Sequence, residues 1–277
     1  MFPTDVKVYD TPEKYDLDYK EFYFASSQDA LLRGWWFRSK GTSKGMVVVA
    51  NGMIYNMSSR FKEWTWLLDE GYDLFIFDYR GYGESMGAAD MLGFVDDVAS
   101  AVAFAHALNE DLPMVAVGQS MGGSFVIDAV AKNRYPYVRL LVIDSTMTSF
   151  GAAAAEIMEQ HILLWPWSWL PGTMTPEGVD SIDFVDKTDT PTLFLVGLKD
   201  EVIQPKHSAD LFVKAQEPKA IWIVEEAKHV HCIDDGRVKK DLAYTFEEAV
   251  NGSLSLGSDV RYYDKNSTYE SEREELR

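Results

Sequence analysis

The sequence predicts an α/β fold built on a mostly parallel, twisted sheet. Three observations carry that prediction: short uninterrupted apolar runs, amphipathic helical stretches between them, and an aromatic-rich pair of segments ahead of both. The runs are MVVVA (46–50), DLFIFD (73–78), MVAVG (114–118), LLVID (140–144), TLFLVG (192–197) and AIWIV (220–224). They do not alternate polar with apolar residues, as expected of strands buried on both faces. Between them, SSRFKEWTWLLDEG, FVDDVASAVAFAHALNE, GSFVIDAVAKN and PKHSADLFVKAQ have helical period, and the last opens with a proline, a common helix start. Strand–helix alternation implies right-handed crossovers, helices on both faces and a reactive site at the carboxyl ends of the strands.

Within residues 18 to 40, YKEFYFAS and LLRGWWFRS flank SQDA and read as an antiparallel hairpin. At the other end, Val238, Leu242, Phe246 and Val250 form an i+4 stripe in a helix over about 235–250, suited to docking on the sheet. After Asn251 the pattern stops. Residues 1–251 therefore read as a single domain, and 252–277 as a polar C-terminal tail, mobile or loosely packed.

A chain of 277 residues, 47% hydrophobic, is long enough to bury one substantial core. Forty-four acidic against 26 basic side chains give a net charge of −18, which repels phosphate backbones and anionic membrane surfaces, so nucleic acid is excluded as a partner. The first residues carry acids and prolines and no basic region followed by an apolar run, so they do not read as a signal peptide. Cys232 is the chain's only cysteine and cannot form an internal disulfide. Asn-X-Ser/Thr matches at Asn56, Asn251 and Asn266 mean little without a secretory route, and a cytoplasmic location is expected. HILLWPWSWLPG (161–172) is broken by two prolines and falls short of the roughly 20 residues that span a bilayer, so no membrane insertion is expected.

The chemistry centres on GQSMGG (118–123), a Gly-X-Ser-X-Gly sequence between an apolar strand and a helical stretch. That context makes Ser120 a candidate nucleophile on a sharp strand-to-helix turn, with small residues at 118 and 122 letting strand and helix approach. EAKHVHCID (226–234) holds two histidines two positions apart beside the lone cysteine. A zinc site typically needs three or four ligands at recognisable spacing, and no second ligand cluster accompanies this one, so no metal is expected. In extended chain the two histidines are about 6 to 7 Å apart, so only one can serve Ser120.

These segments, taken in order with VVVANGM (47–53), DYRGYGES (78–85), VIDSTMTSF (142–150) and TPTLFLVGLKDEVIQPKHS (190–208), resemble the α/β-hydrolase family over about residues 18–250, closest to its Bem46-like and serine aminopeptidase-like members. The resemblance implies an α/β-hydrolase fold and a cofactor-independent Ser-His-Asp triad in chain order nucleophile, acid, histidine. Ser120 takes the first position, Asp200 in VGLKDEV the second, and His229 the third through EAKH, which resembles the family's Gly-Ala-Gly-His-like turn. Asp144 is the alternative acid and His231 the alternative base. His231 and Cys232 otherwise read as helix-entry or pocket-wall residues, and His106 and His207 as structural. The family's oxyanion hole maps to the backbone N–H groups of Met121 and Met53, and Asn51-Gly52 stands where the family usually has His-Gly.

The implied activity is cleavage of a small-molecule carboxylic ester or thioester through an acyl-enzyme. The same triad serves acyl transfer or amide cleavage, and a non-catalytic binding protein could keep the fold. Between Phe150 and Thr192, where the family inserts a cap, this chain has room only for a small one, about 151–190, and hence a fairly open site. Met53, Met86, Met121 and Met147 follow apolar strands and either line an acyl pocket or fill gaps around the loops. The tryptophans of the cap read as packing over the sheet rather than membrane contact, since basic residues are missing. Oligomeric state is not legible.

Overall fold

The computed structural model describes residues 4–52, 54–159 and 176–264. Its strands are β1 (Tyr19–Ala25), β2 (Leu31–Phe37), β3 (Gly45–Ala50), β4 (Tyr72–Phe77), β5 (Met114–Gln119), β6 (Val138–Asp144), β7 (Thr192–Gly197), β8 (Lys219–Val224) and β9 (Asp259–Tyr263). They form one sheet in the order β1-β2-β4-β3-β5-β6-β7-β8-β9. β1 and β2 are the expected antiparallel hairpin, β2 pairs antiparallel with β4, and the remaining pairs are parallel. All six continuous apolar runs are strands. Every residue of β3, β4, β5 and β7 is buried, because helices cover both faces.

The helices are α1 (Met57–Arg60), α2 (Met91–Leu108), α3 (Met121–Asn133), α4 (Phe150–Glu159), α5 (Pro205–Lys214) and α6 (Gly236–Asn251). One core gathers Met46, Val48 and Ala50 of β3 with Phe94, Val98 and Val102 of α2 and Phe125 of α3. The other gathers Val47 and Val49 with Val238, Leu242 and Phe246 of α6. Alternate residues of one strand thus serve opposite cores, each large side chain contributing about 1.5–3 kcal/mol on burial. α2 is long and apolar enough to cross a membrane, but half of it is buried in this core.

Two stretches differ from their sequence reading. SSRFKEWTWLLDEG forms no long helix: Asn56 caps the single turn of α1, accepting from the Ser58 N–H at 3.0 Å, and short 3-10 turns follow at Phe61–Glu63 and Thr65–Leu68. Phe61, Trp64 and Leu67 are all fully buried, and their spacing of three residues is that of a 3-10 helix, which brings them onto one face. Beyond residue 251, within the stretch read as tail, β9 pairs parallel with β8. Its signal is weak because Val260 and Tyr262 face solvent while Tyr263 is buried against Trp222 and bonds Asp241 Oδ2 through its hydroxyl at 2.8 Å. The rest of that stretch, from 265, and residues 160–175 of the expected cap lie outside the described residues.

The loop after β4 is locked to the hairpin side of the molecule. Arg80 pairs with Asp97 of α2 at 2.8 Å with both side chains almost wholly buried. Gly83, at φ 51°, lies so close to Asp78 that a Cβ would stand 2.0 Å from Oδ2, so only glycine fits.

Asp128 on α3 is fully buried, and neither carboxylate oxygen has a hydrogen-bond partner among the described residues. Burial pushes its carboxyl up to about 8; Lys132 opposes the shift, and Asp180 and Asp183 add to it. A carboxyl raised in the folded state contributes stability that is complete below its ordinary range and lost as pH rises through about 8. Asp128→Asn is therefore expected to gain on the wild type in urea unfolding by on the order of 1–3 kcal/mol between about pH 6 and pH 9, part of the loss in the wild type being already present at about pH 6. An equal offset at both pH values would contradict a titrating Asp128.

Candidate active site

β5 runs directly into Ser120, and α3 begins at the next residue. Ser120 has φ 54° and ψ −124°, a conformation that costs a non-glycine residue of order 1–3 kcal/mol. The neighbours enforce it. The Ser120 N–H donates to the Asp144 carbonyl at 2.8 Å, and the Ser120 carbonyl accepts from the Gly123 N–H and the Thr146 hydroxyl, each at 3.0 Å. A Cβ at Gly122 would stand 2.1 Å from the Ala50 carbonyl oxygen, so glycine there lets α3 abut the end of β3.

Three of the side chains singled out in the sequence come together at the carboxyl ends of β5, β7 and β8. His229 Nε2 is 2.9 Å from Ser120 Oγ, and His229 Nδ1 is 2.8 Å from Asp200 Oδ2. The other Asp200 oxygen accepts from the backbone N–H groups of Val202 and Ile203 at 2.9 and 2.8 Å. An ionised carboxylate only accepts, so Nδ1 carries the ring proton and Nε2 is left to accept from the serine hydroxyl. The Asp200 side chain is 2% exposed and that of His229 13%, so little water competes for these bonds.

His231 is not part of this group. Val230, between the two histidines, has φ 54° and turns the chain, leaving His231 exposed with Nδ1 2.7 Å from Asp234 Oδ2. Asp144 does not bond His229. It is fully buried, and its Oδ1 accepts from the Ser145 hydroxyl at 3.0 Å, whose oxygen accepts from the Val230 N–H at 3.2 Å. Asp144 thus braces the loop that carries His229. Burial pushes its carboxyl up to about 6, opposed by the Ser145 hydroxyl and by nearby His229. Cys232 is buried in the core beneath this loop, and burial holds its thiol well above its usual range, with Asp144 adding to the shift.

The Met121 N–H heads α3, where the unpaired amides and dipole of a helix N-terminus favour an anion. Met53, its expected counterpart, lies outside the described residues. Asn51 is buried, and its side-chain N and O have no hydrogen-bond partner among the described residues; its carbonyl accepts from the Tyr79 hydroxyl at 3.1 Å.

Ser120 and His229 open into a cavity of about 240 Å³. Met121, Met147, Phe150, Ala153, Ile157 and Ile203 supply much of its apolar wall, and exposed Ile54 and Val202 join its lining. Of the four methionines of the sequence reading, Met121 and Met147 line this cavity, whereas Met86 is exposed and is not among its described lining residues. His207 ties α5 to α4: Nδ1 accepts from the Thr148 N–H at 3.2 Å and Nε2 lies 3.0 Å from Glu156. His106 stacks on Tyr137 at 3.6 Å. Among the described residues no group of three or more His, Cys, Asp or Glu is placed to hold a metal ion. The contacts of Ser145 and Thr146, within VIDSTMTSF, and the place of Arg60 at the cavity were not legible in the sequence, since each depends on segments distant along the chain coming together.

The pattern of the family described as "Serine aminopeptidase, S33" matches residues 41–181. YfhR of Escherichia coli K12 is 27% identical over 241 residues, covering 84% of this chain and 80% of YfhR. Rv2307c of Mycobacterium tuberculosis H37Rv is 30% identical over 234 residues, covering 82% and 79%. Among solved structures, the Pyrococcus furiosus esterase Pf2001 superposes with a TM-score of 0.71 at 18% identity, covering 92% of this chain and 98% of that one, a likeness of fold.

Gly122→Ala is expected to destabilise the protein by ~2–3 kcal/mol in urea unfolding, because its Cβ meets the backbone of Ala50 and Asn51 at the end of β3. Gly236→Ala, at a helix start with open space around it, is expected to stay within about 0.5 kcal/mol of wild type. Equal tolerance of the two would contradict the close packing of α3 on β3.

Proposed function

The chain belongs to the serine aminopeptidase S33 family of the α/β-hydrolase superfamily, and from that membership we propose that it is a serine hydrolase cleaving a carboxylic ester or thioester through an acyl-enzyme. The observation that carries the reading is the unbroken hydrogen-bonded chain from Ser120 through His229 to Asp200 at the floor of an apolar cavity.

In this mechanism His229 Nε2 takes the hydroxyl proton as Ser120 Oγ attacks the acyl carbon. The developing imidazolium is stabilised by Asp200, whose own charge is held by two backbone N–H groups. Charge on the substrate oxygen falls beside the Met121 N–H, with the Met53 N–H as the second proposed donor. Collapse breaks the bond to the leaving oxygen or sulfur, which receives the proton from His229. Water, activated by the same imidazole, then releases the acid. No cofactor takes part. The family's description as aminopeptidases favours amide cleavage as the second reading, in which the amine leaves by the same proton transfer.

Hydrolysis of a panel of p-nitrophenyl and thioester acyl chains tests the roles. Ser120→Ala and His229→Ala are expected to lower kcat by roughly four to six orders of magnitude, Asp200→Ala by about four, and His231→Ala less than about twofold. Activity retained by Ser120→Ala, or lost in His231→Ala, would overturn the assignment.

A further inference from the structure

The cavity at Ser120 is polarised along the sheet. β5, which delivers Ser120, lies between β3 and β6. On the β6 and β7 side the walls come from Met147, Phe150, Ala153, Ile157 and Ile203, none of which carries charge. On the β3 side the cavity reaches Gly52, Ile54 and Arg60. Arg60, at the end of α1, is 24% exposed and is the one permanently charged side chain among the described lining residues. Its Nη1 donates to Glu63 Oε1 at 2.6 Å, and its guanidinium carbon lies 5.7 Å from the centre of the Tyr55 ring. A guanidinium has five N–H donors in a planar fork, so one bond to Glu63 leaves others for a ligand.

No carboxylate lines this cavity among the described residues. Asp200 bonds His229 and backbone, Glu156 bonds His207, and Glu63, outside the described lining, bonds Arg60 through Oε1 while its Oε2 has no partner among the described residues. A substrate with a free ammonium, such as a peptide N-terminus, would enter an apolar space with a guanidinium for a neighbour and no carboxylate among the described lining residues to pair its charge. An acidic group has a partner there.

We infer that the site takes acyl esters or thioesters with an anionic leaving group: the acyl chain lies against α4, and the acidic group of the leaving alcohol or thiol pairs with Arg60. The inference rests on the ester-hydrolase reading. As the bond from Ser120 Oγ to the acyl carbon forms, the bond to the leaving oxygen or sulfur breaks. His229 returns the proton to that atom, and the product departs with its acidic group unchanged; water then frees the acid. The net charge of −18 repels anions at long range, so any preference for them must come from the site itself.

The test uses three octanoyl esters of similar shape: 3-(octanoyloxy)benzoate, the neutral benzamide analogue and the cationic N,N,N-trimethylanilinium analogue, each kcat/KM divided by its rate of hydroxide hydrolysis. The wild type is expected to prefer the anion to the cation by about tenfold at low salt, with the ratio shrinking at about 0.5 M salt. Arg60→Gln is expected to abolish that ratio and Arg60→Lys to restore much of it. Lys62→Gln, which removes a charge paired with Asp10 outside the cavity, is expected to leave it intact. Turnover of the neutral ester with no anion preference, or a preference unchanged in Arg60→Gln, overturns the inference alone. Failure to turn over any of the three overturns the ester-hydrolase reading and the inference with it.

Discussion

Ser120 holds a backbone conformation that its own side chain disfavours, and much of the molecule is arranged to keep it there. β5 brings the chain to the turn from the centre of the sheet, α3 leaves it against the end of β3, and the Asp144 carbonyl and Thr146 hydroxyl at the end of β6 tie the serine backbone from the other side. Gly122 permits the first contact and the parallel pairing of β5 with β6 permits the second. The same sheet sets the partners: β7 ends near Asp200 and β8 near His229, so side chains 109 and 29 residues apart in sequence meet within hydrogen-bond reach.

Two carboxylates stand near His229, and their surroundings separate them. Asp200 faces the imidazole and accepts from two backbone amides. Asp144 is wholly buried, and burial raises it to about 6 while it braces the loop through Ser145 and Val230. Both Ser145 and Val230 have positive φ, so this brace runs between two strained residues. In the proposed mechanism, fixing the imidazole in this way would lower the reorganisation needed as charge develops on it.

The strand framework was legible because each parallel strand is buried on both faces and leaves an uninterrupted apolar run. Ser120 was legible from its glycines and its place between strand and helix, and Asp200 and His229 from their positions after the next strands of a recognisable order. Choosing between His229 and His231 needed the backbone, since a positive φ at Val230 is not written in a Val codon's propensity. The 3-10 turns after α1 and the edge strand β9 escaped the sequence for related reasons. A period of three in a mixed apolar stretch imitates a helix, and a strand with one buried tyrosine among polar residues imitates a tail. Arg60 escaped because only the fold brings it to a cavity built mainly from residues around 120, 150 and 200.

The central claim is that Ser120 is an activated nucleophile. The most direct measurement is reaction with a fluorophosphonate, which phosphonylates such a serine, followed by mass spectrometry of the peptides. One adduct per chain on Ser120, absent in His229→Ala and slowed by an octanoyl ester, is the result this account predicts. An adduct on another residue, or no adduct in protein shown to be folded, would contradict it.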